Sequence, residues 1–191
     1  MEVMVDLETL STRSNAVILV IAGIKFDRQR VETLDEPVET MDTFYRRVHI
    51  QSCVDVGMHI DPETEAWWKT QSTEMYEENF GKERVPLQTA LEDFKKWYGK
   101  STLVWSNGAS FDIPILDEAY LRCNQKSPWK YWEIRDTRTI YDIGNVKSYN
   151  LPKINNHHAL YDCWRQIWGV KKAIQYLRQT LQPPHLLRQT R

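Results

Sequence analysis

Three short stretches of the chain carry side chains whose types and spacing could do chemistry. The first is Asp6-Leu7-Glu8, at the end of an apolar run that starts at Val3. In a strand, residues two apart stand on one face, so these two carboxylates are expected side by side. Repulsion and desolvation make that pair costly unless cations neutralise it. Carboxylate oxygens suit hard ions such as magnesium or manganese; the plain alternative is two acids facing solvent. The second stretch, Asn107-Gly108-Ala109-Ser110-Phe111-Asp112, joins a strand end to a helix start. Asp112 is there either a ligand or a helix N-cap. The third is His157-His158-Ala159-Leu160-Tyr161-Asp162, with an Asp on a first helical turn five residues after a His in the preceding loop. Taken alone, such a pair decorates a surface or caps a helix.

These residues need elements to position them. Val3–Val5 starts a strand that runs into Asp6 and Glu8, Val17–Phe26 reads as a long second strand, and Thr43–Ile50 alternates as a third. Gln29–Asp42 is acidic and irregular, a hairpin excursion within an antiparallel trio. Asp61-Pro62-Glu63 starts a helix that carries Trp67 and Trp68. A second helix is expected from about Pro86 to Tyr98, stopped by Gly99. Leu103–Trp105 forms a short strand before the Asn107 turn, with helices then from Asp112 to Arg122 and near Thr137 to Ile143. Asp136 is expected to cap the latter. Leu160, Cys163, Ile167, Val170, Ile174, Leu177 and Leu181 form one apolar stripe on a long last helix, despite Gly169. Strands first, then helices interleaved with a strand, predict an α/β or α+β layered fold with a mixed sheet. No linker divides residues 1–181, which are read as one domain, and residues 182–191 with Pro183-Pro184 as a tail.

Composition narrows the setting. The chain has 191 residues, 41% of them hydrophobic and 12% aromatic, enough for a core and too rich in aromatics for disorder. The longest uncharged apolar run, Ala16–Ile24, is too short to cross a bilayer, which takes about 20 residues as a helix. Cys53, Cys123 and Cys163 are far apart and odd in number, which argues against a disulfide framework or a thiolate zinc site and for a reduced, intracellular setting. Formal net charge is -1, yet residues 1–129 carry 14 basic and 22 acidic residues and residues 130–191 carry 11 and 4. A basic C-terminal part could track phosphates and an acidic N-terminal part could hold cations; ordinary surface variation explains the same split.

Taken together and in this order, Asp6-x-Glu8, Asn107-x-x-x-Phe111-Asp112 and His157-x-x-x-x-Asp162 resemble the DEDD superfamily of 3′→5′ exonucleases. The histidine five residues before the last Asp resembles the DEDDh branch (DnaQ-like, RNase T-like). Trp67-Trp68 after Asp61-Pro62-Glu63, and Trp105-Ser106-Asn107-Gly108, look most like a phage and bacterial subfamily that includes exoribonucleases.

The resemblance implies an RNase H-like (DnaQ-type) α/β domain, with a mixed central sheet flanked by helices. It implies Asp6, Glu8, Asp112 and Asp162 as ligands of two divalent cations, Mg2+ or Mn2+, and His157 as general base. Thr9 and Leu10 would contact the terminal nucleotide, Asn107 either shapes its turn or touches substrate, and Trp67 either stacks on a base or packs in the core. His158 lies where the tyrosine branch places its base. The expected function is hydrolysis of single-stranded nucleic acid, RNA slightly ahead of DNA, from the 3′ end to nucleoside 5′-monophosphates. The setting would be the cytoplasm of a bacterial or phage-infected cell, with no membrane partner and a homodimer as in relatives. The rivals are a single-stranded DNA exonuclease and a non-catalytic nucleic-acid-binding module of the same fold.

Overall fold

The computed structural model describes residues 1–81, 83–153 and 158–181. At its centre five strands pair: β1 (Glu2–Thr9), β2 (Ile18–Phe26), β3 (Thr43–Arg47), β4 (Val104–Ser106) and β5 (Ile134–Asp136). Their order is β3-β2-β1-β4-β5. The first three pair antiparallel and the last two join β1 in parallel, so β1 is the seam between the two senses. Covered on both faces, β1 and β2 are apolar almost throughout, with Val3, Met4, Val5 and Ile18 to Ala22 fully buried. This mixed sheet with flanking helices is the RNase H-like arrangement expected from the motifs.

Among the described residues seven helices surround it: α1 (Ile50–Asp55), α2 (Pro62–Lys69), α3 (Thr73–Phe80), α4 (Leu87–Tyr98), α5 (Asp112–Arg122), α6 (Thr137–Ile143) and α7 (Ala159–Thr180). α7 lies along β1 and β2. Its Cys163 thiol reaches the Met4 carbonyl and its Gln166 reaches Asp6, so it covers the face of β1 that carries Met4, Asp6 and Glu8. α4 packs on β3, where Phe44 meets Phe94 edge-on at 5.1 Å. Asp61 caps α2 by accepting from the Thr64 amide and hydroxyl, with Pro62 in the first turn. Gly169 sits inside α7 because Tyr141 of α6 lies against it: a Cβ there would stand 2.6 Å from the ring. The helix-propensity cost of about 1 kcal/mol is the condition for that close crossing. Among the described residues no helix is long and apolar enough to cross a membrane.

Three stretches differ from the sequence reading. The third strand ends at Arg47; Val48 bridges to Val85, and Ile50 opens α1. Ser52 closes that corner, donating to the His49 carbonyl and accepting from the Leu87 amide. α3, capped by Ser72, and the three-residue β5 were not expected. The excursion between β2 and β3 holds two 3-10 turns, Val31–Thr33 and Val38–Thr40, strapped to α7. Lys171 donates to the Thr33 carbonyl and hydroxyl, Trp164 to the Glu36 carbonyl, and Arg178 to the Gln29 carbonyl. Residues 182–191, read as a tail, lie outside the described residues.

Candidate active site

β1 pairs with β4 only through Val3 and Met4, while its pairing with β2 continues to Thr9. Beyond Met4 the parallel side of β1 opens, and its carboxyl end faces a crevice where the sheet changes sense. Such switch points are where open α/β sheets place ligands. The Leu7 amide, left without a strand partner there, donates instead to Asp112 Oδ1 at 3.2 Å. Phe111 is the N-cap residue of α5 and Asp112 the first helical position, so the cap alternative does not describe Asp112. Its carboxyl is turned inward, 4% exposed, toward β1.

Asp6 and Glu8 share one face of the same strand, and Asp162 comes to them from the first turn of α7. Carboxylate oxygens of Asp6, Glu8 and Asp162 lie within 4.8 Å of one another. The charges feel one another strongly. Burial, then the charges of Asp112, Glu8 and Asp162, hold Asp6 well above the usual carboxylate range, against a hydrogen bond from Gln166. Burial, then Asp162 and Asp112, push Glu8 up to about 9. Asp112 is pushed up to about 7 by burial, although the Leu7 amide and Ser106 hydroxyl favour its charged form. Arg165 stands 3.9 Å from Asp162, too far to neutralise the group alone. Four converging carboxylates, three of them pushed upward first by burial, form a hard-oxygen donor set that fits divalent cations.

The other expected residues fall in different places. Thr9 is 8% exposed and its carbonyl accepts from the Trp68 indole at 2.9 Å, which ties α2 to the end of β1. Trp68 is buried, while Trp67 is 42% exposed on a cleft of about 490 Å3. Glu8, Thr9, Ser11, Asp61 and Phe111 line that cleft with it. The Leu10 side chain is in the core at 2% exposure, and its amide and carbonyl pair with Val17 and Asp61. Asn107 is exposed and accepts from the Thr137 hydroxyl at 2.9 Å, so it ties the turn after β4 to α6. Asp136 does cap α6, accepting from the Arg138 amide, and its other oxygen takes the Ala109 amide.

His157 lies outside the described residues. His158 immediately precedes α7, stacked on Tyr45 at 5.4 Å and edge-on to Tyr161 at 4.8 Å. Its Nε2 is 3.6 Å from Glu78 of α3, which also accepts from Tyr45 and Arg47. Glu78 and Gln166 were not anticipated. Gln166 left a trace in the sequence: it stands four residues after Asp162, so it shares that face of α7 one turn further on. Glu78 left none, since α3 itself was missed.

Comparison with curated proteins gave no significant match. Among solved structures the chain is similar to exonuclease X in complex with 5′ overhanging duplex DNA, at 19% identity, 92% coverage of each chain and a TM-score of 0.48. Residues 1–174 match the family described as the 3′-5′ exoribonuclease Rv2179c-like domain. With the match spanning nearly the whole sequence, the chain belongs to the Rv2179c-like family of 3′-5′ exoribonuclease domains.

Proposed function

We propose that residues 1–181 form one exoribonuclease domain that removes nucleoside 5′-monophosphates from the 3′ end of single-stranded RNA by metal-assisted hydrolysis. The observation that carries this reading is the convergence of Asp6, Glu8 and Asp162 within 4.8 Å, with Asp112 bonded to the strand between the first two. The family description favours RNA over DNA.

In this reading Asp6, Glu8, Asp112 and Asp162 hold two divalent cations, Mg2+ or Mn2+. Such ions lower the pKa of water and stabilise the charge that builds on the leaving 3′ oxygen. His157 takes the proton of the attacking water; an ordinary imidazole pKa near 6.5 suits that task. Thr9, Ser11 and Trp67 receive the terminal nucleoside in their cleft, Trp67 by stacking on the base, while buried Leu10 holds the cleft wall. Asn107 shapes the turn and His158 packs the start of α7. A homodimer, implied by the resemblance, is read by light scattering.

The test pairs wild type with His157→Ala and His158→Ala on RNA and single-stranded DNA, labelled at either end, with magnesium. Mononucleotide release from the 3′ end, abolished by His157→Ala and largely retained by His158→Ala, is the expected result. RNA is expected to be cut faster than DNA. No hydrolysis of either polymer by wild type, with magnesium or manganese, overturns the reading.

A further inference from the structure

Gly108 and Arg138 meet beside the acidic group. Gly108 lies in the turn after β4 at φ +106, a conformation that excludes most side chains. The Arg138 guanidinium rests against it: a Cβ on Gly108 would stand 3.0 Å from both Cζ and Nη1 and 3.1 Å from Nη2. Three nearly equal distances mean that the flat face of the guanidinium covers the glycine, so its N–H edge is not consumed by that contact. Both ends of the contact are pinned. Asp136 accepts from the amides of Ala109 and Arg138, and Thr137 donates to Asn107. Gly108 therefore serves twice, as the left-handed residue of the turn and as the seat of the arginine.

What the guanidinium lacks among the described residues is an acceptor. Arg47 is bonded to Glu78, Arg84 to the carbonyls of Leu19 and Val48, and Arg122 to Glu118. Arg138 is exposed, and among the described residues no carboxylate or carbonyl accepts from its side chain. Its charge still reaches the site, since it favours the ionised form of Asp112. A fixed cation with open donors, next to metal-binding carboxylates, suits an anion that arrives with the substrate.

Position decides which anion. The cleft of Trp67 and Thr9 lies where α2 meets the end of β1, whereas Arg138 stands beyond β4, at the end of β5. A strand whose last nucleoside fills the cleft leaves the carboxylates across the β4–β5 flank. We propose that Arg138 binds an internal phosphate of the RNA strand, upstream of the scissile bond, and so makes the enzyme favour oligomers over dinucleotides. This rests on the exoribonuclease reading, which places the 3′ end in the cleft.

The test measures binding of fluorescein-labelled RNA octamer by anisotropy over a series of salt concentrations, and kcat/KM on octamer and dinucleotide in magnesium. Wild type is compared with Arg138→Ala, Arg138→Lys and Gly108→Ala, with melting curves to verify folding. Arg138→Ala is expected to weaken octamer binding five- to twenty-fold and to lower the slope of log K against log salt by about 0.7, one phosphate contact on a single strand. The loss in kcat/KM grows with strand length, and Arg138→Lys recovers part of it. Unchanged octamer affinity and salt slope overturn the proposal, and so does an equal loss on dinucleotide and octamer, which would mark a fault in the carboxylate site. If wild type binds the octamer without cutting it, the hydrolytic reading fails while the binding series still decides Arg138.

Discussion

The Gln166 side-chain amide donates a 2.7 Å hydrogen bond to Asp6 Oδ1 across 160 residues of sequence. One helix therefore supplies both a carboxylate, Asp162, and the donor that orients another. Gln166 is 5% exposed and its backbone carbonyl accepts from the Tyr141 hydroxyl, so the residue is anchored at its main chain as well as through its side-chain donor. Partners that orient metal-binding side chains commonly set metal affinity by ~10–100-fold. Gln166→Leu keeps the volume and removes the donor. It is expected to raise the magnesium concentration for half-maximal activity by about that factor, while the melting temperature stays within a few degrees. Magnesium titrations of activity beside thermal melts check it; an unchanged titration would mean that Asp6 is held by packing alone.

The raised carboxyl groups make a prediction about pH and metal. Asp6, Glu8 and Asp112 hold protons more tightly folded than unfolded. For groups shifted upward, the stabilisation is complete below the unfolded carboxylate range and drains away as pH rises through the folded values. Those values are about 7 for Asp112 and about 9 for Glu8. Metal-free protein should therefore melt at lower temperature at about pH 9 than at about pH 6, and magnesium or manganese should raise the melting temperature more at the higher pH. A cation at a hundred times its Kd adds about 2.7 kcal/mol. Equal metal-induced shifts at both pH values would show that the carboxylates do not titrate as a group.

Neutralising a ligand separates stability from activity. Glu8→Gln replaces a buried carboxyl, which must hold its proton beside two other acids while the unfolded chain lets it ionise, by a neutral amide. The variant is expected to be more stable than wild type without metal near pH 8, by about 1–2 kcal/mol, and to lose nearly all hydrolysis. Urea unfolding of the two metal-free proteins gives the comparison. A less stable variant would indicate that Glu8 is held charged by a partner other than metal.

The adjacent tryptophans should behave oppositely. Trp68 is buried and its indole donates to the Thr9 carbonyl, so Trp68→Ala is expected to cost about 3–5 kcal/mol. Trp67 faces the cleft, and Trp67→Ala should leave the melt nearly unchanged. It should weaken the hold on the terminal nucleotide by about 1–3 kcal/mol, seen as a higher KM. A Trp67→Ala protein with unaltered KM would assign the ring to packing against Trp68.

What could be read from the sequence was whatever repeats or recurs at fixed spacing. The apolar run through Val5, the alternation around Phe44 and the long stripe from Leu160 each declare their element, because burial imposes a period. The carboxylates were legible because Asp6 and Glu8 stand two apart in a strand. β5 escaped: three residues cannot show an alternation, and it exists because β4 offers it an edge. α3 escaped for a related reason: in Thr73–Phe80 only Asn79 is buried, and the helix is held by capping, by Glu78 on Tyr45 and Arg47, and by Met75 and Phe80 half-buried against the core, too few to show a period. The strap over α7 rests on backbone carbonyls of Thr33 and Glu36, which no sequence pattern reveals.

The distance along the chain between Asp6 and Asp162 has a consequence for the protein's own synthesis. β1 is made before α7, but its two carboxylates stay incomplete until α7, about 33 Å of helix, has folded across the sheet. Contacts between residues so far apart form late, because the loop between them must close first. A chain still emerging from the ribosome thus has no assembled site with which to attack the message that encodes it. The separation acts as a delay: the nuclease becomes dangerous to RNA only once residue 162 and the helix behind it are free to dock.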